Sequence, residues 1–162
     1  MMMAAVEDET PSLVVEFGPG TGSFTAALRL RLGPESQLIA IEQSETFADI
    51  LQKKFPDLDL VRGSVESLPE ILEQRGSGPA DCIISGLPWA VFEPELQRRI
   101  LTNAAASLRD GGTFATFAYV HGLVLPRARR FRQLLESTFR EVRLSEVVWR
   151  NLPPAFVYHC RK

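Results

Sequence analysis

The chain has 162 residues, of which 45% are hydrophobic and 23% are charged, with a net charge of −2. This composition is typical of a single globular domain, here spanning residues 1–162, and excludes a disordered or fibrous protein. No apolar run reaches the roughly 18 residues of a membrane span, and the acidic start lacks the basic segment of a secretory signal. The two cysteines, Cys82 and Cys160, lie in apolar runs without metal-site spacing. We therefore expect reduced core thiols, no metal and a cytoplasmic location.

Seven apolar runs predict β-strands, at residues 13–17, 37–41, 58–62, 80–85, 113–120, 142–148 and 156–160. Five helical patterns separate the first six strands, at residues 21–32, 44–55, 65–75, 93–109 and 127–139. Ser44 is the expected N-cap of the second helix, and Asp-Gly-Gly at 110–112 the expected end of the fourth. Strands that alternate with helices predict an α/β fold with a parallel sheet covered on both faces. The last two strands lack a helix between them, so one of them should be antiparallel.

The two halves of the chain differ in charge. Residues 1–80 carry 13 acidic and 6 basic side chains, whereas residues 81–162 carry 7 acidic and 12 basic ones. Such an asymmetry indicates either a cationic ligand held by the first half and an anionic one met by the second, or simply solvated charges. The densest basic cluster lies in the fifth predicted helix and comprises Arg127, Arg129, Arg130 and Arg132.

A glycine-rich loop, Glu-Phe-Gly-Pro-Gly-Thr-Gly at residues 16–22, follows the first strand. Glycines there let the backbone turn tightly and approach a ligand closely. The spacing differs from the dinucleotide fingerprint, and the carboxylate of Glu16 beside the loop favours a ligand with a cationic amine over a pyrophosphate. Glu42 ends the second strand, where a carboxylate can accept hydrogen bonds from ribose hydroxyls.

On these motifs the chain resembles the class I S-adenosylmethionine-dependent methyltransferases along essentially its whole length. The resemblance implies a Rossmann-like sheet in the order 3-2-1-4-5-7-6 with strand 7 antiparallel, and S-adenosyl-L-methionine as cofactor. Many relatives have Asp where this chain has Ser64, a difference that implies modest cofactor affinity. The cofactor-binding residues that the resemblance implies are Glu16, Gly18, Pro19, Gly20, Gly22, Glu42, Gln43, Ser64 and Val65.

Three further segments resemble bacterial phospholipid N-methyltransferases: Ser-Gly-Leu-Pro-Trp at 85–89, Phe-Ala-Tyr at 117–119, and Arg-Asn-Leu-Pro-Pro-Ala at 150–155 followed by Val157 and Tyr158. That family usually carries an amphipathic segment before the first strand, so a cofactor lid and part of a membrane anchor are expected to be missing here. The resemblance implies roles in orienting the attacking nitrogen and sheltering the methylated cation for Ser85, Trp89 and Tyr119. For the substrate, it implies that the lipid phosphate is held by Arg127 and Arg150, with Asn151 beside them.

The implied activity is methylation of phosphatidylethanolamine-type lipids at an anionic membrane surface by a peripheral protein on the inner face, and a homo-oligomer stays open. Only the arginine cluster would then attract the membrane, and such binding should be weak and sensitive to salt. Three alternatives stay open: an adenine-N6 methyltransferase of ribosomal RNA, a small-amine N-methyltransferase, and an inactive cofactor-binding subunit. Nucleic acid is not an expected partner, because the net charge is acidic.

Overall fold

The computed structural model describes residues 11–120, 125–150 and 152–162. Its centre is a seven-stranded sheet in the order β3-β2-β1-β4-β5-β7-β6. β1 to β5 pair in parallel, and β7 runs antiparallel to both β5 and β6. The sheet order and the reversed β7 that the sequence predicted are thus confirmed. The strands are β1 Leu13–Phe17, β2 Gln37–Glu42, β3 Asp59–Arg62, β4 Ala80–Ser85, β5 Leu108–Tyr119, β6 Glu141–Leu144 and β7 Ala155–Arg161.

Five α-helices connect the first six strands. Ser44 caps the second helix, because its side chain accepts a hydrogen bond from the backbone N–H of Phe47. The fourth and fifth helices each have proline in the first turn, where no backbone donor is needed. The helices are α1 Ser23–Arg29, α2 Glu45–Lys54, α3 Leu68–Gln74, α4 Pro94–Ser107 and α5 Pro126–Thr138. No helix in these described ranges is both long and apolar enough to cross a membrane.

The sheet separates two apolar clusters. The larger one packs α3, α4 and α5 against the face that carries Val15, Ile83 and Phe114. The smaller one packs Leu28 of α1 against Val14 and its neighbours on the other face. Adjacent residues of a strand point to opposite faces, which explains why Val14 and Val15 belong to different clusters. Both cysteines are buried and unpaired, as expected.

The predicted ends of the fourth helix and of the sixth strand were wrong. The fourth helix ends at Ser107, and the Asp-Gly-Gly segment at 110–112 lies inside β5. Its pairing with β4 shifts register between Ala80 and Cys82, so these glycines belong to an irregular strand rather than a helix cap. β6 ends at Leu144 rather than at residue 148, and beyond it the contact with β7 continues through hydrogen bonds between Ser145 and Val157 and an isolated bridge between Val148 and Ala155.

Candidate active site

A cavity of about 700 Å³ opens at the carboxyl ends of β1, β2 and β4. Its size suits a small-molecule ligand, and this edge of a parallel sheet is where such folds bind ligands. We call it the glycine-loop cavity, because part of the 16–22 loop forms its wall. Most of the predicted cofactor residues line it, namely Gly18, Gly20, Glu42, Gln43, Ser64 and Val65.

Glu42 joins the two segments that form this wall. One carboxylate oxygen accepts a hydrogen bond from the Gly20 N–H at 3.0 Å, and the other accepts from the Ser44 N–H at 2.8 Å. An ionised carboxylate can accept about four hydrogen bonds, so capacity is left for donors in the cavity. The buried carboxylate is therefore held in place before any ligand arrives, and its chemistry fits a ribose diol.

The loop itself is shaped for close approach. Gly18 has φ +61°, and a Cβ there would meet the Leu87 side chain at 2.8 Å. Gly20 has φ +57°, and a Cβ there would meet nothing within 4 Å. The first glycine thus packs the loop against the segment after β4, while the second leaves open space for a ligand. Pro19 and Gly22 belong to the same turn, in which the Gly22 N–H donates to the Pro19 carbonyl, but they do not line the cavity.

Glu16 lies behind this loop and is fully buried. One of its carboxyl oxygens accepts a hydrogen bond from the Thr25 hydroxyl at 2.7 Å, which ties β1 to α1. The other oxygen, Oε1, has no hydrogen-bond partner within the described residues. Burial raises the pKa of this carboxyl to about 7, the Thr25 hydrogen bond lowers it, and the nearby Glu42 raises it. Glu16 does not line the glycine-loop cavity, so its carboxyl supports the loop from behind rather than facing the ligand space.

The Glu16 pKa predicts how stability depends on pH. The folded pKa is about 7 against an ordinary 4.5, so the folded state retains a proton that the unfolded state loses. This contribution is complete below about pH 4.5 and is lost as the pH rises through about 7, which amounts to roughly 3 kcal/mol. The free energy of unfolding measured with urea should decrease between about pH 5 and 8 in wild type, and decrease much less in Glu16→Gln. Equal slopes in the two proteins would contradict the assignment to Glu16.

A second cavity of about 420 Å³ adjoins the first, and both are lined by Leu87 and Pro88. Its walls are mostly apolar and aromatic, and we call it the aromatic cavity. Trp89, Tyr119 and Arg127, which come from three separate segments of the sequence, all line this cavity. Further aromatic side chains around it are Phe117, Phe131 and Tyr158.

Trp89 is both a wall of this cavity and a core residue. Its side chain is only 4% exposed, and its ring stacks on Phe131 with the centroids 5.0 Å apart. The indole N–H donates to the Thr116 hydroxyl at 2.9 Å and to Ser85 Oγ at 3.2 Å. Ser85 is itself fully buried and lines none of these cavities. Its hydroxyl supports the indole and also accepts from the Leu87 N–H at 3.4 Å, so an effect of Ser85 on the reaction would pass through Trp89 or Leu87.

A third cavity, of about 330 Å³, lies between α4 and α5. Arg98, Arg127 and Arg130 line it together with Glu93, and we call it the arginine cavity. Arg127 borders both this cavity and the aromatic one. Within the described ranges neither Arg127 nor Arg130 pairs with an acidic side chain. The arrangement offers two free guanidinium groups next to an apolar cavity.

The structure does not place two of the predicted substrate residues at the cavities, and some residues of the aromatic site were not predicted from the sequence. Arg150 is exposed in the connection between β6 and β7 and lines none of the three cavities, while Asn151 lies outside the described residues. Thr116 was missed because it reads as an ordinary strand residue, and Tyr158 belonged to a segment of the resemblance but was given no role. Only the antiparallel register, which pairs Thr116 with Tyr158, brings them under the aromatic cavity. No three His, Cys, Asp or Glu side chains of the described ranges are grouped to hold a metal.

Comparisons with known proteins agree with this geometry. Residues 14–112 match the family described as "Methyltransferase domain". The ornithine lipid N-methyltransferase of Singulisphaera acidiphila is 35% identical over 156 residues, covering 94% of this chain and 77% of that protein. An O-methyltransferase from Bacillus cereus, solved in complex with SAH, has a TM-score of 0.78 at 18% identity, covering 99% of this chain and 79% of that one. TomG, an O-methyltransferase from Streptomyces achromogenes solved with SAM, has a TM-score of 0.78 at 17% identity over 99% and 78% of the two chains.

The reversed β7, the glycine loop and the strand-two carboxylate define an α/β enzyme that binds a nucleoside cofactor at the carboxyl edge of its sheet. The chain belongs to the class I S-adenosylmethionine-dependent methyltransferases. Its cofactor is S-adenosyl-L-methionine. The residues present fit this group, because the cavity combines a fixed carboxylate for the ribose with an open glycine turn.

Proposed function

We propose that this methyltransferase methylates the primary amine of a membrane aminolipid, with phosphatidylethanolamine-type phospholipids as the first substrates to test. The observation that carries the proposal is the apolar aromatic cavity, which shares Leu87 and Pro88 with the cofactor side and has Arg127 at its other border. A lipid that bears an amine and an anionic group would meet all three features. The name of the Singulisphaera relative, which refers to N-methylation of an ornithine lipid, supports the same class of substrate.

The chemistry of the aromatic cavity favours catalysis by positioning. Bound S-adenosylmethionine supplies a methyl group on a sulfonium, and an amine must lose a proton before it can attack. No carboxylate lines the aromatic cavity within the described residues, and burial raises the pKa of the Tyr158 hydroxyl. We infer that Leu87 and Pro88 guide the amine toward the cofactor side, since correct orientation can supply about 7–11 kcal/mol.

Aromatic rings suit the product of such a reaction. Phe117 and Tyr119 pack edge to face, with the ring centroids 5.5 Å apart, on the wall of the aromatic cavity. An alkylated ammonium near such rings gains about 0.5–2 kcal/mol from each cation–π contact. We therefore assign Tyr119 to sheltering the methylated cation, and Trp89 to forming the rigid floor beneath it.

Arg127 is the proposed contact of the anionic part of the headgroup. Arg127→Gln should raise KM for an anionic aminolipid by about tenfold to a hundredfold with little change in kcat, because a charged hydrogen bond is worth about 1.5–3 kcal/mol. Arg132→Gln on the same helix is the matched control, since its guanidinium already pairs with Glu136 at 2.8 Å. Initial rates with lipid in mixed micelles measure both constants. An unchanged KM in Arg127→Gln would remove Arg127 from the substrate site.

A panel of labelled-methyl acceptors tests the proposed function. The panel contains phosphatidylethanolamine, an ornithine lipid, free ethanolamine and ribosomal RNA, each with wild-type protein and S-adenosylmethionine. We expect label in one or both aminolipids. Label in RNA alone would support the adenine-N6 alternative, and label in free ethanolamine alone would support a small-amine enzyme. Cofactor binding without transfer to any acceptor would support an inactive subunit.

A further inference from the structure

Large apolar side chains are exposed around the mouth of the aromatic cavity. Val91 and Leu125 line the cavity and are themselves exposed to solvent. In the connection between β6 and β7, Trp149 is 73% exposed and Leu152 is 96% exposed. Exposed apolar groups that cluster at one edge of a protein mark an interaction surface. We call these four residues the rim.

Strand register places the two parts of the rim at the same edge of the sheet. Tyr119, at the end of β5 and on the cavity wall, pairs with Ala155, which in turn bridges to Val148. The Val120 N–H also donates to the Pro154 carbonyl at 3.0 Å. Neighbouring strands lie about 5 Å apart, so the backbone just before Trp149 is roughly 10 Å from the cavity wall. Trp149 and Leu152 therefore flank the entrance.

The charges around the rim select one kind of partner. Arg129 and Arg130 on α5, and Arg150 next to Trp149, are exposed and form no ion pair with another described residue. Arginine beside exposed tryptophan and leucine matches the interface of an anionic bilayer, where indole rings lie at the level of the headgroups and guanidinium groups meet phosphates. The rim borders the cavity that is proposed to take a membrane lipid, and this continuity favours a bilayer over a protein with an acidic surface.

We propose that the rim docks on an anionic lipid bilayer, with Trp149 and Leu152 inserted among the headgroups. This proposal rests on the proposed function, because docking through the rim would turn the aromatic cavity toward the membrane that holds the lipid substrate. The sequence led us to expect attraction through arginines alone and hence loss of binding at high salt. Apolar insertion instead leaves a component of binding that salt does not screen.

Tryptophan fluorescence tests this proposal directly. The chain has two tryptophans, and Trp89 is only 4% exposed but lines the aromatic cavity, so the quenching by brominated acyl chains that is lost in Trp149→Gln is the part that reports on Trp149. Vesicles of brominated phosphatidylcholine with phosphatidylglycerol should quench the wild-type emission at low and at high salt. Trp149→Gln with Leu152→Gln should sediment with these vesicles at least about tenfold more weakly. Leu30→Gln is the matched control, because Leu30 is 88% exposed and follows α1, which runs back toward the opposite edge of the sheet.

Two results would overturn the proposal. One is a folded wild-type protein whose tryptophan emission is quenched neither at low nor at high salt concentration. The other is self-association without lipid that the double substitution abolishes, since the rim would then serve a second copy of the chain. Methyl transfer to detergent-dispersed aminolipid separates this proposal from the proposed function. Transfer without quenching would refute only the rim, whereas vesicle binding through the rim without transfer to any aminolipid would refute only the function.

Discussion

Trp89→Ala is expected to lower the free energy of unfolding by about 3–5 kcal/mol, the range for removing a large buried aromatic side chain. The indole stacks on Phe131 and meets Phe92 and Phe114 edge to face, with centroid distances of 5.9 Å and 6.2 Å for the latter two. Its loss would leave a cavity between the sheet and α5. Methyl transfer by the folded variant should also fall at least about tenfold, with cofactor affinity nearly unchanged, because Trp89 lines the aromatic cavity and not the glycine-loop cavity.

Trp89→Phe separates packing from hydrogen bonding. Phenylalanine keeps an aromatic ring in place but removes the N–H that the Thr116 and Ser85 hydroxyls accept. We expect a smaller loss, of about 1–3 kcal/mol, because these buried acceptors lose a donor. Urea denaturation measures the free energy of unfolding of both variants. Methyl transfer is then compared under conditions in which both variants are folded. A Trp89→Ala protein as stable as wild type would contradict the core position of this side chain.

Glu42→Ala is expected to weaken binding of S-adenosylmethionine by about tenfold to a hundredfold, or roughly 1–3 kcal/mol. The substitution removes the proposed acceptor of the ribose hydroxyls. It also releases the N–H groups of Gly20 and Ser44, which the carboxylate now fixes at 3.0 and 2.8 Å. Loss of the ligand contact and loss of the ordered wall act in the same direction.

Titration calorimetry with S-adenosylmethionine or its demethylated product measures this effect. Glu45→Ala is the matched control, because Glu45 is a glutamate only three residues further along the chain. Its exposed carboxylate pairs with Arg62 and does not line the glycine-loop cavity. We expect the control to bind like wild type. If Glu42→Ala binds no more weakly than Glu45→Ala, Glu42 does not hold the ribose.

The sequence predicted most of the fold because each β-strand up to β4 is a local apolar run with a clear end. The start of β5 could not be predicted in this way. Its first residues follow α4 directly, and the ion pair between Arg109 and Asp81 joins this irregular segment to β4. That contact spans 28 positions of sequence, so no local pattern records it.

The cofactor side was more predictable than the substrate side for a related reason. The loop at 16–22 and Glu42 are contiguous motifs, whereas the aromatic cavity takes residues from α5, β5 and β7. The sequence placed Ser85 at this site, but only the structure shows that its hydroxyl faces the Trp89 indole. The rim was missed because apolar residues such as Trp149 and Leu152 are expected in a core unless the fold shows them exposed.

Transfer of a tritiated methyl group from S-adenosylmethionine into a whole-cell lipid extract tests the central claim most directly. The products are separated by chromatography and compared between wild-type protein and Glu42→Ala. We predict label in the aminolipid fraction, moving with N-methylated standards, and much less of it with the Glu42→Ala protein at limiting cofactor. Label that stays entirely in water-soluble compounds, or that enters lipids lacking an amine, would contradict aminolipid N-methylation.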